Sequence, residues 1–209
     1  MAELSLKQAW IYMDDHEYPQ AEETFRALLA HPDSAEDLRA AARLGLAQAL
    51  SAQGRHTEAS GVFGELRLEA RARGDAAGEA RALHGLARAA RLGGDLGGAR
   101  GYLEAEAALL SDDFARVALH IERGLLAQAG GDLPGASRHF EAAAELARAT
   151  DDVVGEAEAE LARADLAISQ GQTAQARAHL EAARLAYFED ENRAGQLEVE
   201  ARLSRLDMN

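Results

Sequence analysis

The sequence has no cysteine, three prolines and a single lysine, Lys7, among 22 basic side chains. Without cysteine there are no disulfides, no thiol nucleophile and no thiolate metal site. With so few prolines, long stretches carry nothing that would break a helical hydrogen-bond ladder. Aromatic residues make up 5% of the chain and valine and isoleucine are sparse, so no segment reads as a strand. No apolar run approaches the ~20 residues that a membrane-spanning helix needs. The opening "MAELSLKQAW" lacks the basic and apolar regions of a secretory signal, and a cytoplasmic location is expected. Positive charge is in deficit: 22 basic against 36 acidic side chains leave a formal net charge of −14. Such a chain repels phosphate backbones and anionic lipid, so neither direct nucleic-acid binding nor membrane association is expected.

What the chain does contain is alanine, leucine, glutamate and arginine, all strong helix formers. It also repeats itself. "GGDLGGARGYLEAEAALL" from Gly93 returns 37 residues later as "GGDLPGASRHFEAAAELA" from Gly130. Looser copies begin at His16, Gly54 and Gly171. Each places an alanine five residues after the start of a turn (Ala21, Ala59, Ala99, Ala136, Ala176) and a bulky apolar residue four further on (Phe25, Phe63, Leu103, Phe140, Leu180). The alanines are 38, 40, 37 and 40 residues apart. Between these copies lies a second signal, "GDAAGEA" at Gly74, "DDVVGEA" at Asp151 and "ENRAGQL" at Glu191. Asp75, Asp113, Asp152 and Asn192 are the expected caps of the helices that follow. Two turn types are thus expected to alternate, with Pro19 and Pro134 inside turns and Pro32 after a helix end.

Twelve residues before each repeat alanine stands a small residue: Ala9, Ala47, Ala87, Gly124 and Ala164. Together with the turn glycine, the alanine and the following Phe or Leu, this pattern resembles the tetratricopeptide repeat (TPR) family. The resemblance covers essentially the whole chain. It implies an all-α fold, a right-handed superhelical solenoid of antiparallel helix pairs. The units would be five repeats at about 1–36, 37–75, 76–113, 114–152 and 153–192, with a terminal helix at 193–209, in one array spanning 1–209. The long period and the "GDxxGxA" joint are similar to TPR arrays in bacterial signalling and transcription-control proteins. Arg123 and Arg163 depart from the family pattern where an apolar residue is usual, and His120 and Glu160 where a bulky one is. Glycine inside a helix costs about 1 kcal/mol relative to alanine. Gly45, Gly85 and Gly124 therefore make sense only if close packing against them repays that cost.

Catalytic motifs are missing. "GGDLGG" has no Gly-Lys-Ser/Thr ending and no preceding strand, so it is a turn rather than a phosphate loop. The seven histidines show no His-Glu-x-x-His spacing. No Gly-x-Ser-x-Gly elbow occurs. A non-catalytic protein without metal or cofactor is expected.

The resemblance implies that first helices line a concave groove, at positions 18, 15, 11 and 8 residues before each repeat alanine. These include Trp10, Gln48, Ile121, Leu125 and Gln128. In the third unit they are Arg81, His84, Arg88 and Arg91, a basic stripe on one helix face. Two readings of the stripe stand. It is a clamp for a carboxylate, which guanidinium groups pair with bidentately, or a solvated face balanced by Glu79 and neighbouring acids. Trp10, likewise, is either a core residue or an aromatic anchor. The expected function is a protein- or peptide-binding scaffold with a carboxylate-bearing segment as partner. The alternative is a sensory or regulatory domain that recognises a peptide or small effector. The last helix has apolar residues on two faces, which leaves one for a second copy or for further chain.

Overall fold

The computed structural model describes residues 2–31 and 35–207, which form eleven α-helices and contain no strand. Pro32 lies outside the described residues. The helices pair as α1 (Ala2–Asp14) with α2 (Tyr18–Ala30), α3 (Glu36–Ala52) with α4 (His56–Arg73), and α5 (Ala76–Leu92) with α6 (Leu96–Ala107). Then follow α7 (Asp113–Ala129) with α8 (Leu133–Ala149), α9 (Val153–Ser169) with α10 (Thr173–Glu189), and α11 (Arg193–Asp207). Helix pairs followed by a terminal helix are the architecture that the alanine spacing implies. The chain divides into two compact units, 1–109 and 110–209. The first closes at α6, which is 12 residues long where most helices have 17.

Within each unit the first helices of successive pairs meet: α1 with α3, α3 with α5, and α7 with α9. Among the described residues the second helices α2 and α4, α4 and α6, or α8 and α10 do not reach each other. First helices therefore form the inner layer of each unit and second helices the outer one.

Left-handed residues mark the turns. Gly54, Gly74 and Gly94 follow at intervals of 20 residues, and so do Gly131, Asp151, Gly171 and Glu191. The two expected turn types are therefore one conformation, and the chain repeats by single helix as well as by pair. Asp75, Asp95, Asp132, Asp152 and Asn192 each accept a hydrogen bond of 2.8–2.9 Å from the backbone N–H three residues on. That third residue is always glycine, and at Gly78, Gly98, Gly135 and Gly155 a β-carbon would overlap the capping carboxylate. The "GDxxG" sequence thus combines a left-handed turn residue, a cap and the gap that the cap occupies. The cap of α7 is Asp112, bonded to the Ala115 N–H at 2.8 Å, and not Asp113, which pairs with Arg116. Pro19 and Pro134 sit in the first turns of α2 and α8 rather than in the connections, where the missing N–H has no helical acceptor to lose.

All five repeat alanines and all five bulky partners are buried. A β-carbon at Gly45, Gly85 or Gly124 would run into the ring of Phe25, Phe63 or Phe140 respectively. Tyr187 covers Gly195 in the same way, with Cγ 2.6 Å from where a β-carbon would lie. Phe140 on α8 meets Gly124 on α7 within one pair, as expected. The ring of Phe63 on α4, expected to pack within its own pair, lies on Gly85 of α5 and joins that pair to the next. Ring-to-backbone packing repays the helix-propensity cost at each site.

Candidate functional site

α5 opens at the Asp75 cap and buries Ala80, Leu83, Leu86, Ala87 and Ala89. That leaves Arg81 and Arg88 exposed, with His84 and Arg91 half-buried, on one face of an inner-layer helix. Among the described residues neither Arg81 nor Arg88 makes an ion pair. Glu79, expected to balance the stripe, instead pairs with Arg67 of α4 at 3.3 Å. His84 is tied down: its Nδ1 lies 3.1 Å from Oε1 of Glu106 on α6, and that carboxylate is buried. The structure therefore splits the four-residue stripe. Arg81 and Arg88 face solvent, while His84 serves as a link to the outer helix.

Gln48 is exposed on α3, the inner neighbour of α5. Trp10 packs edge-on against Phe25, with ring centroids 5.3 Å apart at 72°, and so contributes to the core of the first pair. Ile121, Leu125 and Gln128 are half-buried on α7, in the second unit. Ile121 packs beside Val117, and Leu125 packs against the cluster around Phe140.

The departures from the family pattern form a polar layer inside the second unit. Glu160 is 2% exposed and accepts hydrogen bonds from Arg163 at 2.9 Å and Arg148 at 3.5 Å, while His179 Nδ1 lies 2.8 Å from its second oxygen. Forty residues earlier, the positions of Glu160 and His179 hold His120 and His139, with their Nδ1 atoms 3.4 Å apart. Arg123 precedes Arg163 by the same interval. Burial pushes the His120 imidazole below its ordinary pKa, and the charges of His139, Arg123 and Arg116 push the same way. Burial does the same to His139, followed by Arg123 and Arg138, against an opposing contribution from Asp132. Sequence reading found His120, Arg123, Glu160 and Arg163 as irregularities. It did not find their partners on the second helices, His139 and His179, although the 40-residue register would have paired them.

Two other features add no second binding face. A surface hollow of about 530 Å³ between α3 and α4 is lined by Arg39, Arg43, Arg73, Glu36 and Glu69, but Arg43 pairs with Glu69 and Arg73 with Glu36. On α11, Val199 is buried and Leu203 and Leu206 pack against α10, while Ala194, Leu197 and Ala201 face outward. Among the described residues no cluster of three or more metal-ligating side chains occurs, and no helix is long and apolar enough to cross a membrane.

No family model and no curated protein matches the chain by sequence. Solved structures do match by fold. BtubC (BKLC) from P. vanneervenii superposes with a TM-score of 0.61 at 17% identity, covering 88% of this chain and 78% of that one. The nearly identical TPR-like repeats of a Podosopora anserina protein described as a kinesin light chain give 0.59 at 20% identity, covering 91% and 96%. A single-substitution variant of those repeats gives 0.62 at 20% identity, covering 90% and 95%. The fold is that of a helical repeat protein. Its particular kind is TPR-like, as the repeat alanines and the turn glycines had implied.

Proposed function

We propose that the protein is a non-catalytic binding scaffold, and that the inner face of its first unit takes a peptide segment bearing a carboxylate. The observation that carries this reading is the pair Arg81 and Arg88, two helical turns apart on an inner helix. Both are exposed, and the nearest acid on their own helix, Glu79, is turned to Arg67. In a chain of net charge −14, two uncommitted guanidinium groups on one face are a local attraction for an anion. Gln48 on the neighbouring helix adds a donor and an acceptor for the peptide backbone. TPR-like repeats as scaffolds agree with this reading, but nothing in the neighbours' names supplies the partner.

A charge-assisted hydrogen bond contributes about 1.5–3 kcal/mol when well aligned, and an exposed ion pair contributes roughly 0–1 kcal/mol. Reversing Arg88 should therefore weaken the binding of an acidic peptide by about tenfold or more, because repulsion replaces attraction. The test is a fluorescence-anisotropy screen of labelled peptides with acidic and neutral C-termini against the wild type and Arg88→Glu, with and without added salt. Binding of acidic peptides that falls with both changes supports the reading. Binding that ignores both, with the variant still folded by circular dichroism, overturns it.

A further inference from the structure

We propose that His120 and His139 form a binding site for a single divalent transition-metal ion, Zn²⁺ or Cu²⁺, held between the two helices of the fourth pair with solvent completing its coordination. The two Nδ1 atoms face each other at 3.4 Å across α7 and α8. That is long for a hydrogen bond between nitrogens, whose usual N–H donor–acceptor range is about 2.7–3.2 Å. It fits a shared metal ion instead. A tetrahedral zinc with bonds of ~2.0–2.1 Å to two imidazoles holds their nitrogens ~3.3–3.4 Å apart. The ring centroids are 5.6 Å apart and the planes cross at 46°, so the rings converge on their nitrogens rather than stacking face to face.

Three further observations agree. Both side chains are half-buried or partly open to solvent at their helix faces, so the pair is held by its helices and is open on one side. Imidazoles kept neutral by burial are in the form that binds metal. The register position is also informative. In the fifth pair the same two positions are Glu160 and His179, an ordinary buried carboxylate–imidazole contact closed by Arg163 and Arg148. The fourth pair has a second imidazole where the fifth has a carboxylate, and Ala108 where the fifth has Arg148. Imidazole-only donors suit zinc and copper, and copper should bind more tightly. Arg123, which lowers the pKa of both rings, is a cation beside a cation. It limits affinity and favours an anionic ligand, such as chloride or a carboxylate, at an open position.

The experiment is a titration of chelator-treated protein with ZnCl₂, followed by the long-range ¹H–¹⁵N NMR signals of the histidine rings, and with CuSO₄, followed by electron paramagnetic resonance. The first equivalent of Zn²⁺ should move the His120 and His139 Nδ1 signals together, and Cu²⁺ should show coupling to two nitrogens. His120→Ala and His139→Ala should each lower affinity at least tenfold, and His179→Ala should change it less than twofold. His120→Gln and His139→Gln repeat the test if either alanine variant unfolds. The proposal is overturned if the first equivalent of metal goes to other histidines, if neither ring shifts, or if the single variants bind as the wild type does.

Discussion

The ring of Phe140 fills the space that a side chain at residue 124 would need: a β-carbon at Gly124 would overlap it. Phe140 is fully buried, so neither partner can move aside. Gly124→Ala should therefore destabilise the protein by about 1–3 kcal/mol through overpacking, although alanine is the better helix former. Phe140→Ala should cost about 3–5 kcal/mol. In the Phe140→Leu background the penalty of Gly124→Ala should shrink, a non-additivity that urea denaturation of the four proteins measures. Additive effects would mean the two residues do not share this space.

The caps predict a change of sign. Asp95→Ala should lower stability by about 0.5–2 kcal/mol by leaving the Gly98 N–H without its acceptor. Gly98→Ala should also destabilise, because its β-carbon would displace the Asp95 carboxylate. Once Asp95 is alanine that conflict is gone, and Gly98→Ala should become stabilising by up to about 1 kcal/mol. Thermal melts of the two single variants and the double variant decide it.

Glu191 stands at φ 54°, in the left-handed region that Gly54, Gly74, Gly94, Gly131 and Gly171 occupy in other turns. A side chain in this region costs roughly 1–2 kcal/mol. Glu191→Gly should raise stability by somewhat less than this, since glycine also loosens the unfolded chain. A calorimetric midpoint that falls would count against the strain.

Glu22 is the buried carboxylate of the first unit, with hydrogen bonds from Gln53 and Arg55 and an ion pair to Arg26. Burial pushes its pKa up, but these partners outweigh burial and leave it below the ordinary carboxylate value. A depressed pKa contributes stability that is fully present above the unfolded pKa of about 4.3. That stability is lost as pH falls through the lower folded value. Glu22→Gln should lower stability at neutral pH and flatten its decline below about pH 4. Urea midpoints taken across that range should therefore converge for the two proteins on acidification. Parallel curves would show that Glu22 has no part in the acid response.

Much of this protein is determined locally. The repeat alanines, the "GDxxG" turns and the run of helix-forming residues specify helices of set length joined by one left-handed residue, because capping and turn conformation depend on neighbours within a few positions. The same register named the buried residues from Ala21 to Leu180 and put Arg81 and Arg88 on one helix face. Tertiary packing decided the rest. Whether Phe63 lies on its own pair or on Gly85 of the next depends on how two helices approach, which no spacing along the chain encodes. Whether Glu79 balances Arg81 or turns to Arg67 depends on which helix lies alongside. His120 and His139 are 19 residues apart in sequence and belong to different helices. Only the antiparallel closure of α7 on α8 brings their nitrogens within 3.4 Å of each other. Side-chain chemistry at that range is set by the distance between backbones, and that distance is fixed by Phe140 resting on Gly124.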